Sequence, residues 1–466
     1  MIFVNRGDEL AFLRRSWQED KSQLVVIYGK RRVGKTALVR EFSRDLPHIY
    51  FLADKAPDRE QLRQLSEKVG LYFQDDFLLS RGFGTWYDFF KYLIRDRAPI
   101  NPESRGALSL VMIFDEFPYL IESNPAIPSL FQKGWDEALS ESGVFLILLG
   151  SSMGMMETDV LGHKSPLFGR RTGQILVEPL SFNGAKEFFP AMSDDAFMHF
   201  YGALGGTPAY LLQFDPAADF RENVRRRILV PEAYLYREPD FILREELREP
   251  RNYFSILRAI SMGKTRPAEI INETGFDKSM VGKYLSVLTD LKIIRREVPV
   301  TEWDFEKSKK GIYLLEDHYF RFWFAYVYPN RSFIEEGQAD YVLDRKIIPS
   351  LDRFISWSFE EVCRSRVRKG LPQEIKCNRV GRWWSKEGEI DIAGLADDQN
   401  AAVFGEAKWS VNPVGTDILN DLERKAKMVD WRQGKRKEYY VLFSRSGFTK
   451  DLKERAERRG DLLLIK

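Results

Sequence analysis

At 466 residues the chain is longer than a single hydrophobic core serves, so roughly two to four domains are expected. Hydrophobic content of 44% beside 30% charged residues is that of a globular protein; no apolar run reaches membrane-spanning length, and charges precede any apolar block at the start, unlike a signal peptide. A net charge of +2 excludes a general polyanion binder, and two cysteines, Cys363 and Cys377, are too few for a disulfide framework or a four-ligand zinc site, which points to a reducing cytoplasm.

In chain order the first strong element is the apolar run 24–28, Leu-Val-Val-Ile-Tyr, predicted as a buried strand. It feeds Gly29, Lys30, Arg31, Arg32, Val33, Gly34, Lys35 and Thr36, which match G-x-x-x-x-G-K-[ST] at every fixed position. Ala37 continues into a predicted helix through Phe42. Glycines let backbone N–H groups curl around phosphate oxygens, and the helix N-terminus adds its positive dipole end. Residues 29–37 are therefore candidate nucleoside triphosphate ligands, with Lys35 reaching the β- and γ-phosphates and Thr36 holding Mg²⁺. A second strand is expected over 109–114, beginning at Ser109 and ending in Asp115 and Glu116. Asp115 would hold Mg²⁺ through water, and Glu116 would polarise the attacking water as general base. A third strand, 144–150, ends in Ser151 and Ser152, one of which senses the γ-phosphate or orients the water on one reading, while on the other they simply turn the chain. Arg170 and Arg171 supply transition-state charge on one reading and bridge surface carboxylates on the other.

Several motifs occur in a fixed order. They are Asn5-Arg6 with Glu9-Leu10, the phosphate loop, Phe114-Asp115-Glu116, Leu149-Gly150-Ser151-Ser152, residues 166–170 and residues 205–211. Together they resemble the archaeal-type ATPase family, a branch of the AAA+-related signal-transduction ATPases with numerous domains. The resemblance implies a five-stranded parallel sheet, ATP as the nucleotide, and a switch between ADP- and ATP-bound forms. It also implies that the segment ending in Arg6 lies near the adenine, and that Pro208 packs on the base from a helical lid.

Residues 253–300 read as three helices and a β extension. The first spans 253–260, the second opens on Pro267, and the third is capped by Asp277. Val281, Leu285 and Leu288 form the apolar stripe of the third, leaving Lys278, Ser279, Lys283 and Tyr284 outward. With strands over 293–300 and 310–315, this resembles a winged helix-turn-helix, serving either as a DNA reader or as an internal lever reporting nucleotide state. The aromatic run 318–328 is expected to be a buried connecting helix, since successive aromatics on a helix point in every direction.

In the last third, Glu389-Ile390-Asp391-Ile392-Ala393 reads as an alternating strand, and a turn at 397–400 leads to a second strand over 402–409. Residues two apart share a strand face, so Glu406 and Lys408 point together, and pairing brings Asp391 beside them. Two carboxylates suit one or two divalent cations while a lysine positions water and offsets phosphate charge; Glu360, on a helical segment upstream, is a further candidate ligand. Residues 361–388 hold 8 Lys/Arg against 3 Asp/Glu, and residues 419–466 hold 14 against 8, a basic bias that suits a nucleic-acid surface. Glu-Asp-Glu-x-Lys in this order resembles the restriction-endonuclease-like PD-(D/E)XK superfamily, although no proline precedes Asp391.

The expected architecture is α/β: a P-loop parallel-sheet ATPase core (1–180), a helical lid (181–248), a winged helix-turn-helix with connecting helix (249–330), and an α/β restriction-endonuclease-like domain (331–466). The expected function is an ATP-hydrolysing switch coupled to a metal-dependent nuclease-like domain acting on nucleic acid, with DNA ahead of RNA. The expected cofactors are ATP and Mg²⁺. No membrane partner is expected, and self-assembly is left open. The alternative is a non-cleaving regulatory ATPase whose C-terminal domain binds DNA or mediates assembly.

Overall fold

A computed structural model describes residues 3–19, 21–94, 110–247 and 250–466. Ser109 and the expected domain limits at 248 and 249 lie outside the described residues. The chain forms two compact units: one comprises Met1–Leu180 and Thr207–Ala209, the other Ser181–Gly206 and Tyr210–Lys466.

The first unit is built on five parallel strands: β1 (Gln23–Tyr28), β2 (His48–Leu52), β3 (Leu110–Asp115), β4 (Val144–Gly150) and β5 (Gly173–Leu176). Their order is β2-β3-β4-β1-β5. This is the five-stranded parallel sheet that the family resemblance implied. β1, β3 and β4 are buried at every residue, because helices cover both sheet faces. Leu24 and Val26 join one core with Phe51, Phe89, Phe114 and Phe131, while Val25 and Ile27 join another with Leu13, Leu38 and Phe145. The central strands consequently read as continuous apolar runs, and the turns following β1 and β3 stand at the carboxyl ends of the strands, where open parallel sheets bind ligands.

The second unit begins with helices that include Asp194–Leu204. Farther on, helices Pro250–Ser261, Pro267–Thr274 and Lys278–Asp290 precede an antiparallel pair, β6 (Ile294–Glu297) and β7 (Ile312–Leu315). The Asp277 carboxylate accepts from the Met280 amide at 2.9 Å, capping the third helix, and Gly275 ends the second in a left-handed conformation (φ 71°). Val281, Leu285 and Leu288 are buried, and Lys278, Ser279 and Lys283 are exposed. Tyr284 departs from the expected outward position: it is half-buried against Tyr253, and its hydroxyl accepts from Asn252 at 2.8 Å. The aromatic run packs inside, with Tyr319, Phe320, Phe322, Trp323, Phe324 and Tyr326 all buried.

The last element is a mixed sheet of β8 (Arg379–Trp384), β9 (Glu389–Ala396), β10 (Ala401–Lys408), β11 (Lys437–Ser444) and β12 (Leu462–Ile465), in the order β12-β11-β10-β9-β8. β8, β9 and β10 pair antiparallel, whereas β10, β11 and β12 pair parallel. β9 does not alternate as its sequence suggested: all its residues but Glu389 are buried. Its two faces serve separate cores, one with Leu419 and Leu422 of helix Thr416–Ala426, the other with Cys363 and Val367 of helix Leu351–Arg368. Burial on both faces removes the polar half of the pattern.

Candidate functional site: a phosphate loop and a carboxylate–lysine cluster

The phosphate loop links β1 to helix Lys35–Ser43 through three residues at positive φ: Gly29 (154°), Arg32 (69°) and Gly34 (96°). Gly29 is required by space as well as conformation, since a Cβ there would stand 2.3 Å from the Val177 carbonyl oxygen. Lys35 is buried, and its ammonium donates to the carbonyls of Gly29 and Lys30, both at 2.9 Å. Arg6 braces the loop from outside, donating to the carbonyls of Val33 (3.0 Å) and Glu178 (2.7 Å) and pairing with Glu9. Ala209 N–H points to the Arg32 carbonyl at 3.5 Å, and the Pro208 ring lies 3.9 Å from where a Cβ on Gly34 would sit. Pro208 thus stands beside the loop.

Asp115 and Glu116 end β3 at this same edge. Asp115 is buried and accepts from Thr36 Oγ1 at 2.8 Å and from the Tyr50 hydroxyl. Burial, with the bond to Asp115, pushes the Tyr50 phenol well above its ordinary range. No motif marks this tyrosine, because β2 meets β3 only in the folded sheet. The contact between Thr36 and Asp115 brings together the two oxygen donors named for Mg²⁺, a donor set that suits a hard cation. Glu116 adopts a left-handed conformation (φ 54°), and its two carboxylate oxygens, at 2.7 and 2.9 Å, share the single proton that the Ser151 hydroxyl donates. Ser151 therefore aims Glu116. Arg170 forms a two-pronged pair with Asp136 (3.1 and 3.3 Å) and donates to the Phe168 carbonyl, so its hydrogen bonds in this structure are those of a surface bridge. Arg171 reaches the Leu161 carbonyl and lies over the Phe168 ring.

The second cluster grows from β9, β10 and helix Leu351–Arg368. Antiparallel register sets Gly405 opposite Ile392, which brings Asp391 beside Glu406. The Ala407 amide donates to Asp391 Oδ2 at 3.1 Å; Lys408 Nζ lies 3.5 Å from that oxygen and bonds Glu406 Oε2. Two bases that sequence spacing did not single out complete the surroundings. Lys425, from helix Thr416–Ala426, reaches Glu406 Oε1 at 3.2 Å, and Arg382, from β8, pairs with Glu389 at 3.5 Å. Glu360 is near enough for the Asp391 charge to act on it, and one of its carboxylate oxygens lacks any hydrogen-bond partner, Arg364 standing 3.7 Å away.

Burial and the neighbouring Asp391 push both Glu360 and Glu406 up to about 7. Asp391 goes the other way: burial opposes its charge, but Lys408 and the Ala407 amide hold it below the usual carboxylate range. Lys408 is raised by its two carboxylates in spite of burial. Beneath the cluster, fully buried Arg364 donates to the Asp391 carbonyl at 2.7 Å and pairs with Glu361, which Arg295 of β6 also engages. Burial raises Glu361, but the two guanidinium groups outweigh it and hold it at about 2.

Among the described residues no three His, Cys, Asp or Glu side chains form a ready metal cage. The pair Asp391 and Glu406 supplies carboxylate oxygens of the kind Mg²⁺ takes, one or two carboxylates plus substrate phosphates being its common set. The basic surplus of this region is in part internal. Arg436 is spent on the carbonyls of Ala426, Val429 and Trp431, and Arg459 on Glu423 and Asp461.

A family model described as an ATPase domain predominantly from Archaea matches residues 3–214, and one described as archaea bacterial proteins of unknown function matches residues 323–424. "Uncharacterized protein MJECL04" of Methanocaldococcus jannaschii is 34% identical over 473 residues, spanning 100% of this chain and 99% of the relative. "Uncharacterized ATP-binding protein MJ0423" of the same organism is 55% identical over 42 residues, 9% of this chain and 71% of that one. The Walker-type ATPase paby2304 of Pyrococcus abyssi shares the fold, with TM-score 0.51, 20% identity, and coverage of 68% of this chain and 95% of its own. Among the described residues no helix is long and apolar enough to cross a membrane. The chain belongs to the family of its full-length Methanocaldococcus relative, and its N-terminal part is an archaeal-type, nucleotide-binding ATPase domain.

Proposed function

We propose that the chain is a cytoplasmic ATP-hydrolysing switch whose C-terminal mixed-sheet domain is a metal-dependent nuclease of restriction-endonuclease type, acting on DNA. The finer division is part of this reading: core 1–180, lid 181–248, winged helix-turn-helix with connector 249–330, nuclease-like domain 331–466. The observation that carries it is the meeting of Asp391, Glu406 and Lys408 at the end of paired strands, with Glu360 on a nearby helix within range of the Asp391 charge.

In the ATPase site Lys35 would leave the loop carbonyls for the β- and γ-phosphates, with Thr36 and Asp115 holding Mg²⁺. Glu116, aimed by Ser151, would accept the proton of the attacking water. Arg6 and Pro208 shape the loop from either side. Arg170 would join the transition state only after leaving Asp136. In the second site Asp391, Glu406 and Glu360 would hold Mg²⁺, which when bound polarises the phosphodiester and lowers the pKa of water. Lys408 would position the water and offset charge on the scissile phosphate. Because Thr207–Ala209, which opens helix Pro208–Leu211, groups with the core while both flanks belong to the second unit, nucleotide state would reach the rest of the chain through that segment.

One observation favours the non-cleaving alternative: part of the basic surplus is spent on partners within the chain, leaving less for nucleic acid. Nicking of supercoiled DNA in Mg²⁺ or Mn²⁺ separates the two. Wild type should nick while Asp391→Ala and Lys408→Ala should not; equal behaviour of all three would end the nuclease reading.

A further inference from the structure

Both oxygens of the Glu406 carboxylate are occupied by ammonium groups. Lys408 takes Oε2, and Lys425 takes Oε1 at 3.2 Å. Glu406 is buried, with a side chain 4% exposed, so water cannot easily replace either partner. A divalent cation drawn to Glu406 and Asp391 would stand within a few ångströms of both lysines, and like charges at that range in a partly buried site repel strongly. Lys408 lies on the same strand as Glu406 and bonds both acids, so it cannot move far. Lys425 differs. It comes from another element, its stem passes over the β8–β9 turn (its Cγ is 3.5 Å from where a Cβ on Gly388 would be), and it has a second anchor. That anchor is Asp421, 2.9 Å away, half-exposed one helical turn back. Lys425 thus spans an inner carboxylate, where a metal would bind, and an outer rim, where a polyanion would arrive.

We propose that Lys425 is a resident counter-cation that occupies Glu406 in the free protein and transfers to a backbone phosphate of the incoming nucleic acid, so that divalent-metal and nucleic-acid binding are positively coupled through this one side chain. The inference rests on the nuclease reading of the cluster. Without nucleic acid the acids are neutralised from within and hold metal weakly. An arriving phosphate draws Lys425 outward, frees Glu406 Oε1 and admits the cation. By linkage, metal must then tighten nucleic-acid binding by the same factor.

The test is Mn²⁺ binding to the full-length, nucleotide-free chain, measured by electron paramagnetic resonance with and without a phosphorothioate-linked DNA duplex. Asp391→Ala serves as the reference that removes the C-terminal site and leaves the phosphate loop. Wild type should bind Mn²⁺ at least about tenfold more tightly with the duplex than without. Lys425→Met should bind Mn²⁺ about tenfold more tightly than wild type without the duplex, and the duplex should then add little. Asp421→Asn removes the outer anchor, commits Lys425 to Glu406, and should weaken Mn²⁺ binding in the free protein. These opposite shifts cannot both come from damaged folding. Wild-type or weaker affinity in Lys425→Met, with Asp391-dependent binding intact, would overturn the role of Lys425. Absence of any Asp391-dependent binding, with or without duplex, would instead overturn the metal site itself.

Discussion

Glu361 offers the sharpest quantitative expectation. It carries no proposed chemistry, yet Arg364 and Arg295 converge on it, and Arg364 also holds the backbone carbonyl of Asp391. Its carboxyl falls from the usual 4.5 to about 2 because the two cations outweigh burial. At roughly 1.4 kcal/mol per pH unit this corresponds to about 3 kcal/mol of stability at neutral pH. Between pH 2 and 4.5 the folded chain holds fewer protons at this site than the unfolded one, so stability from Glu361 is complete above about 4.5 and is lost as pH falls towards 2. Glu361→Gln keeps the volume but leaves both guanidinium groups facing a neutral amide, a change of about 3–5 kcal/mol for a buried pair. Urea unfolding followed by tryptophan fluorescence should show the midpoint of the second unit lowered by about 1 M or more near pH 7. The gap from wild type should close as the pH approaches 2–3. A gap that is unchanged with pH, or smaller than about 1 kcal/mol at neutrality, would refute the ion-triad argument.

Other expectations follow from the same geometry. Glu116→Gln should keep ATP bound while slowing single-turnover phosphate release by about 10²–10⁴-fold; near-normal turnover would remove Glu116 as the base. Gly29→Ala forces a Cβ to 2.3 Å from the Val177 carbonyl oxygen and should reduce binding of a fluorescent ATP analogue by more than about tenfold, and unchanged binding would show that the loop relaxes. Because Glu360 and Glu406 keep protons up to about 7, Mn²⁺ affinity of the C-terminal site should rise with pH through that value, by up to about tenfold per unit below it for each of the two protons displaced. The same two groups hold more protons folded than unfolded between 4.5 and about 7, so their contribution to the stability of the metal-free chain declines as pH rises across that window. An affinity flat from about pH 5.5 to 8 would contradict the assignment.

What could be read in the sequence was local. The phosphate loop, its strand and its helix are consecutive, so pattern alone placed them. The pairing of Glu406 with Lys408 follows from the period of a strand, and Asp391 came with the hairpin register. Partners that arrive from distant segments were illegible: Tyr50 on Asp115, Ser151 on Glu116, Lys425 on Glu406, and Arg364 beneath Asp391. Tyr284 was placed outward because a helical wheel cannot show Asn252 and Tyr253 lying across from it. Charge counting overstated the basic surface for a similar reason, since residues such as Arg436 satisfy buried carbonyls instead of facing solvent.

On the proposed function, nucleotide at the phosphate loop would govern cleavage at the carboxylate cluster. The most direct measurement is the rate of supercoiled-DNA nicking in Mg²⁺ with and without ATP, for wild type and Lys35→Ala. The rate should change at least about tenfold with ATP in wild type and not at all in Lys35→Ala, and should vanish in both when Asp391 is replaced by alanine. Nicking at one rate whatever the nucleotide, or surviving the loss of Asp391, would contradict the proposed function.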